Sequence, residues 1–436
     1  MQEKVLHYLW KYSLFERLHA VTTDGERVEV FAPGTHNVDS GGPDFLNAHL
    51  KIGATHWYGH VELHFKSSDW DAHAHCNNKS YNAVALHVVW VHDKEVFVES
   101  GRTLACFVLR DKVPPKILKY IDRFSSSRDV IACKELVADV PVLNRNFFLE
   151  RLLIERMDRK KNILKSDFER LHKNWDQLSL LCIAKSMGLR HNSLAFERLI
   201  TSFPLDVLYQ NNDDITMLEA LLFGQAGFLE AEFVDKYAVE LKSTYCFLQK
   251  KHALSPMTQA EWQWFRLRPV SFPMQRIAQL AAFLHNRQHF FSALLALQKP
   301  TDFYEYFYVT VSEYWRNHRY FDDADGGRTH LMSKAFIDKI VINVVVPILF
   351  LRSEYYGDFD LKEKALSLLL KIKSEENQIL KAWKKVGLHA GNASEAQSLI
   401  ELHNEFCSRK KCLNCGIGLS IFKNAGHYVG KIQKEY

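Results

Sequence analysis

The period at which apolar residues recur changes twice along this chain of 436 residues, and those changes limit the fold more than any other feature. Over residues 3–18, Val5, Leu6, Leu9, Trp10, Leu14 and Leu18 keep helical spacing, the pattern of an amphipathic helix. Short runs rich in β-branched and aromatic residues follow at 27–32, 45–52, 56–66, 82–92, 95–99 and 103–109, separated by Gly, Asp, Asn and Ser. Helical spacing returns near 143 and persists to the end without a fixed repeat, which argues against a solenoid. The sequence therefore predicts an α+β fold in two parts. Residues 1–115 form a mostly antiparallel sheet with one flanking helix, 116–142 a linker opened by Pro114-Pro115, and 143–436 a large all-helical region.

One strand carries a chemical face. From His56 to Lys66, Trp57, Val61, Leu63 and Phe65 point one way, while His56, Tyr58, His60, Glu62, His64 and Lys66 point the other. A hairpin through Gly53-Ala54-Thr55 sets Asn47, His49 and Lys51 beside Glu62, His60 and Tyr58. His73 and His75 follow the strand and offer two more imidazoles for substrate. Eleven of the 21 histidines lie within the first 92 residues, so imidazoles are concentrated where the strands are. Wet sheet faces usually carry Lys, Glu, Thr and Ser; His60, Glu62 and His64 at successive same-face positions are types that hold metals or move protons near neutral pH.

Composition narrows the class. With 47% hydrophobic and 25% charged residues, and only 11 Pro and 19 Gly, nearly all of the chain is expected to fold. A net charge of +5 permits an anionic partner without requiring one. The first twenty residues mix Glu3, Lys4, Lys11, Glu16 and Arg17 among apolar ones, unlike a secretory leader, so a cytoplasmic protein with reduced cysteines is expected. The longest apolar run, Ile340–Leu351, is broken by Asn343 and Pro347 and reads as a buried, kinked helix rather than a membrane span.

Gly41-Gly42-Pro43-Asp44-Phe45 opens one strand, and Glu62-x-His64-x-Lys66 lies on its hairpin partner. This arrangement resembles the PD-(D/E)xK nucleases, which place an acid at one strand's start and an acid-x-lysine pair on the next. The resemblance implies that Asp44 and Glu62 bind Mg²⁺ or Mn²⁺ and that His64 or Lys66 acts on the attacking water; His60, on the same strand face, is a further candidate ligand. Glu3 or Glu16 would supply a helical glutamate. It implies a metal-dependent phosphodiesterase acting on nucleic acid. Strict alternation turns Asp44 away from Glu62 unless the Gly-Gly-Pro entry bulges. The short link after Lys66 suggests a continuing antiparallel meander. Two alternatives stay open: a binding or scaffold protein with a histidine-rich ligand face, and a metal hydrolase of another substrate. The segments GGPDFLNAHLKIG, VELHFKSSDW, HAH, YNAVALHVVW, RLRPVSFPMQRIAQLA and KKCLNCGIG are together similar to an uncharacterised family of unknown function common in Bacteroidota.

Near the C-terminus, Cys407-x4-Cys412-x2-Cys415 has the spacing of a metal knuckle. With His403 or His427 it suits structural Zn²⁺, with a distant Cys133 it matches part of an iron–sulfur pattern, and in a reducing cell the three thiols need bind no metal at all. Arg151, Arg156, Arg159, Lys160, Lys161 and Lys165 are either a solvated helix face or a phosphate-tracking one. Trp262, Trp264, Arg266 and Arg268 either pack or stack on bases.

Overall fold

A computed structural model describes residues 3–38, 41–265, 267, 271–324 and 331–432, and the chain divides into two compact units. Unit 1 comprises 1–150, 381–389 and 400–436, and unit 2 comprises 151–380 and 390–399. The boundaries read from the sequence at 115 and 142 do not separate these units. The segment expected as a linker contains helix α3 (Pro115–Ser126), which buries Ile117 and Phe124 within unit 1. The C-terminal helix Gly416–Ile432, expected with the helical region, packs on α3.

In unit 1, α1 (Glu3–Lys11) buries Leu6, Leu9 and Trp10 and is followed by β1 (Val28–Ala32), β2 (Thr35–His36), β3 (Phe45–Ile52) and β4 (Thr55–Lys66). A short helix α2 (Asp69–Ala72) precedes β5 (Val84–Val91) and β6 (Cys106–Val108). The sheet order is β1-β3-β4-β5-β6, with β2 also on β3. Pairings up to β4 are antiparallel, but β4–β5 and β5–β6 are parallel, so the meander expected after Lys66 does not continue. The crossover stays short because it has its own core: Trp70 is fully buried with Tyr81, Val84, Val96, Val98 and Leu104. Its indole donates to the Phe97 carbonyl at 3.0 Å. β5 is buried along nearly its whole length, as a strand covered on both faces must be.

Two details of the β3–β4 hairpin decide what the site contains. The turn is tighter than expected, with Ile52 opposite Thr55 and Gly53 at φ +58°, so His49 pairs with Tyr58 and Lys51 with His56. The register is thus two residues away from the expected one, which leaves the faces unchanged. Between Phe45 and Ala48 the register slips by one residue, and Asn47 there adopts φ +56°. One extra residue reverses the side of the sheet that the start of β3 faces, and this bulge brings Asp44 onto the face of Glu62.

Unit 2 is helical around a large apolar core. The expected kinked helix takes the form of Lys334–Ile340, a π-helical turn over Val341–Val345, and Val346–Tyr356. The widened turn takes up the amide bond that Pro347 cannot make. The basic residues after 151 meet acidic or amide partners of the same unit: Arg156 bonds Gln397 at 2.7 Å, and Lys161 pairs with Asp158 and Glu354. Trp262 is buried and donates to the Ala226 carbonyl, so it packs rather than presenting a face for bases. Arg266 and Arg268 lie outside the described residues. Glu219, on Ile215–Gln225, is fully buried with Ser312 donating to its Oε2 at 3.2 Å, and burial raises its pKa to about 8. Among the described residues no helix is long and apolar enough to cross a membrane.

Candidate functional site

The bulge at Asn47 and the regular run of β4 place Asp44 and Glu62 in direct contact. The Asp44 amide donates to Glu62 Oε2 at 2.9 Å, and the Leu63 amide donates to Asp44 Oδ2 at 2.9 Å. From α1, His7 Nε2 reaches Asp44 Oδ2 at 3.2 Å. Burial opposes charge on Asp44, but the His7 contact and the Leu63 amide hold its pKa below the usual range. Burial also works against the His7 imidazolium, and Asp44 outweighs it, so the His7 pKa is raised. Each group thus favours the charged form of the other. The helix does contribute a group to this site, but it is an imidazole: Glu3 is exposed, and Glu16 lies 3.9 Å from His19.

With one oxygen fixed by the Asp44 amide, Glu62 turns Oε1 toward the imidazoles. It lies 3.2 Å from His75 Nε2 and 3.6 Å from His64 Nε2, and His64 Nε2 is 3.1 Å from His73 Nδ1. The ring nitrogens of His64, His73 and His75 lie within 4.8 Å of one another and could hold a metal ion. Burial raises the Glu62 pKa. Burial first, then His75 and His73, lowers that of His64 to about 4, so His64 is neutral at pH 7.

Neutral imidazole has one N–H, and its placement follows from the surroundings. His64 Nδ1 is 2.8 Å from Nε2 of His87, a wholly buried residue of β5 whose pKa burial drives well below the ordinary value. If His64 donates through Nδ1, its Nε2 lone pair faces His73 and Glu62. This is the supporting role that a partner behind a metal-binding histidine performs. Tyr81 lies flat on His75 with centroids 3.9 Å apart, and Trp70 stands edge-on to it at 5.3 Å. Packing therefore helps to fix the ring that meets Glu62.

The other expected residues lie elsewhere. His60 is one dyad back on β4, its Nδ1 accepting the Asn47 amide at 3.2 Å. Lys66 is exposed, and its charge acts on Asp93, which caps the turn at Ser67 and Ser68. His403 turns to Asn404 at 3.1 Å, and the side chain of His427 lies outside the described residues. Cys407, Cys412 and Cys415 are together in unit 1. Sequence reasoning passed over His7 and His87. The first looks like an ordinary polar position of an amphipathic helix and the second sits inside an apolar run, so neither sends a local signal.

Toward the start of β4 the same face carries a surface stack. Phe31 lies on His49 at 4.7 Å, and His49 on Tyr58 at 4.3 Å, with Tyr58 78% exposed. No curated protein and no solved structure matches the chain. Residues 3–378 match the model of a family described as "Protein of unknown function (DUF2851)", and the chain belongs to that family.

Proposed function

We propose that unit 1 is a metal-dependent phosphodiesterase acting on nucleic acid. The observation that carries this reading is the cluster of His64, His73 and His75, whose ring nitrogens lie within 4.8 Å of one another, with the Glu62 carboxylate beside His64 and His75. Donor separations of 3.1, 3.2 and 3.6 Å suit a small ion, since a tetrahedron with bonds of ~2.1 Å has edges of about 3.4 Å. Imidazole nitrogens suit Mn²⁺ better than Mg²⁺. A bound divalent ion would neutralise charge on phosphoryl oxygens and lower the pKa of a water.

The protein's own groups do the remaining work. Glu62 is aimed by the Asp44 amide, and His87 fixes the orientation of His64. Asp44, held by His7 and the Leu63 amide, is placed to accept a hydrogen bond from the attacking water and orient it. The resemblance to PD-(D/E)xK nucleases supports a phosphodiester substrate, with His64 in the position of the lysine. The exposed Phe31–His49–Tyr58 stack supports nucleic acid, because every base has a face that stacks on such rings.

The test is cleavage of single- and double-stranded DNA and RNA by metal-stripped protein reloaded with Mn²⁺. Glu62→Gln and His64→Ala, checked for fold by circular dichroism, are expected to lose activity by about 10²-fold or more. Equal cleavage by wild type and Glu62→Gln would refute the site. No cleavage of any nucleic acid by the loaded wild type would refute the substrate class.

A further inference from the structure

A second group of side chains in unit 1 is not used by that chemistry. Cys412 and Cys415 share one turn, in which the Cys415 amide donates to the Cys412 carbonyl at 3.3 Å. Gly418 permits the turn's close approach, since a Cβ there would fall 2.3 Å from the Cys412 carbonyl oxygen. Just before it, the amides of Lys410 and Lys411 donate to the carbonyls of Cys407 and Phe406 at 3.2 and 2.9 Å, folding the chain back on itself. Lys410 Nζ then donates to the Asp129 carbonyl at 3.3 Å, tying this turn to the segment that carries Cys133. The turn Cys412–Asn414 also packs on α3, and the C-terminal helix packs on Val137–Asp139, just beyond Cys133.

These contacts thus bring four thiols from distant parts of the sequence into one neighbourhood. Cys415, Cys133 and Cys412 all act on Cys407, and Cys415 and Cys412 act on Cys133. All four are thiols rather than disulfides. Burial pushes the Cys133 thiol up to about 12 and raises Cys407 and Cys412 as well. Such thiols become thiolates only when a cation compensates the charge. An independent observation comes from α1. Tyr8 is 6% exposed, its hydroxyl has no hydrogen-bond partner, and Cys415 and Cys412 are among the groups acting on it. A buried hydroxyl is rarely left without an acceptor.

We propose that Cys133, Cys407, Cys412 and Cys415 together ligate one iron–sulfur cluster of the four-iron type, with the Tyr8 hydroxyl donating to one of its sulfurs. Each thiol gives its proton to solvent as its sulfur binds one iron, and two Fe²⁺, two Fe³⁺ and four inorganic sulfides supply the core, which carries a charge of 2+ and accepts one electron on reduction. The spacing separates this from a single zinc ion. Four thiolates on zinc, with Zn–S bonds of ~2.3 Å, stand about 3.8 Å apart. Among the described residues the one trio of candidate ligand atoms within 4.8 Å of each other is His64, His73 and His75, so no three of these sulfurs stand as close together as one zinc ion needs. Sulfurs that each take a different iron need a wider spacing.

The experiment is anaerobic purification of the full chain, followed by iron, acid-labile sulfide and zinc analysis. About four iron and four sulfide per chain are expected, with a visible chromophore bleached by dithionite. Cys133→Ser should lose most of the iron, and Cys246→Ser, at an exposed position in unit 2, should keep it. If Cys133→Ser fails to fold, Tyr8→Phe still decides. It should retain the iron and shift the reduction potential downward, since a hydrogen bond to a cluster sulfur favours the reduced form. One zinc per chain without iron, or folded protein that takes up neither metal on anaerobic reconstitution with Fe²⁺, Fe³⁺ and sulfide, overturns the proposal.

Discussion

Glu219 in unit 2 gives the sharpest test of the packing. Its carboxyl is fully buried among apolar helices, has one hydroxyl donor in Ser312, and has a pKa raised by burial from the ordinary 4.5 to about 8. A carboxyl with a raised folded pKa keeps its proton in the native state while the unfolded chain loses it. Its contribution to stability is therefore full at low pH and declines as pH rises from about 4.5 toward 8. Integrated between pH 5 and pH 8, the decline is about 3–4 kcal/mol, a factor of a few hundred in the opening equilibrium. Hydrogen exchange read by mass spectrometry on peptides covering Ile215–Gln225 measures it, once intrinsic rates are corrected for pH. Protection should fall by that factor in the wild type and stay nearly level in Glu219→Gln, which keeps an acceptor for Ser312 but does not titrate. Glu219→Gln should also be the more stable protein at pH 8. The same pH dependence in both proteins would show that Glu219 ionises freely.

Two further substitutions test the backbone. Asn47 sits at φ +56° in the bulge, so Asn47→Gly should be nearly neutral while Asn47→Val costs about 1–2 kcal/mol in urea unfolding; equal stabilities would mean that the left-handed turn is absent. At Gly224 a Cβ would fall 2.0 Å from the ring of Tyr245, so Gly224→Ala should lower the calorimetric midpoint by the equivalent of about 1–3 kcal/mol, and an unchanged midpoint would contradict the close packing of Ile215–Gln225 on Lys236–His252.

The face of β4 was legible from sequence because side chains on a strand alternate, and that reading put Glu62 and His64 side by side with nothing but a period of two. What aligned Asp44 with them was not legible. The left-handed conformation of Asn47 is one that asparagine tolerates without announcing it, and a one-residue slip decides which face the start of β3 presents. The parallel β5 was missed for a related reason: the length of 67–83 argued for a hairpin, whereas the burial of Trp70 lets a compact crossover stand in for a full helix. His7 and His87 act only through tertiary contact, so their neighbours in sequence say nothing about Asp44 or His64. The return of residues 400–432 to the first unit was equally hidden, since an amphipathic helix does not name the surface that it covers.

That return has a consequence for synthesis. The ribosome releases α1, the sheet and α3 early, yet the surface of α3 stays uncovered until the helix Gly416–Ile432 has been made. Throughout elongation of the second unit, the first carries exposed apolar residues that invite association with other nascent chains. The contacts that complete it are among the most distant in sequence, so its final step is slow compared with the local helix formation of the second unit. The order of completion is therefore the reverse of the order of translation: the unit begun first is finished last.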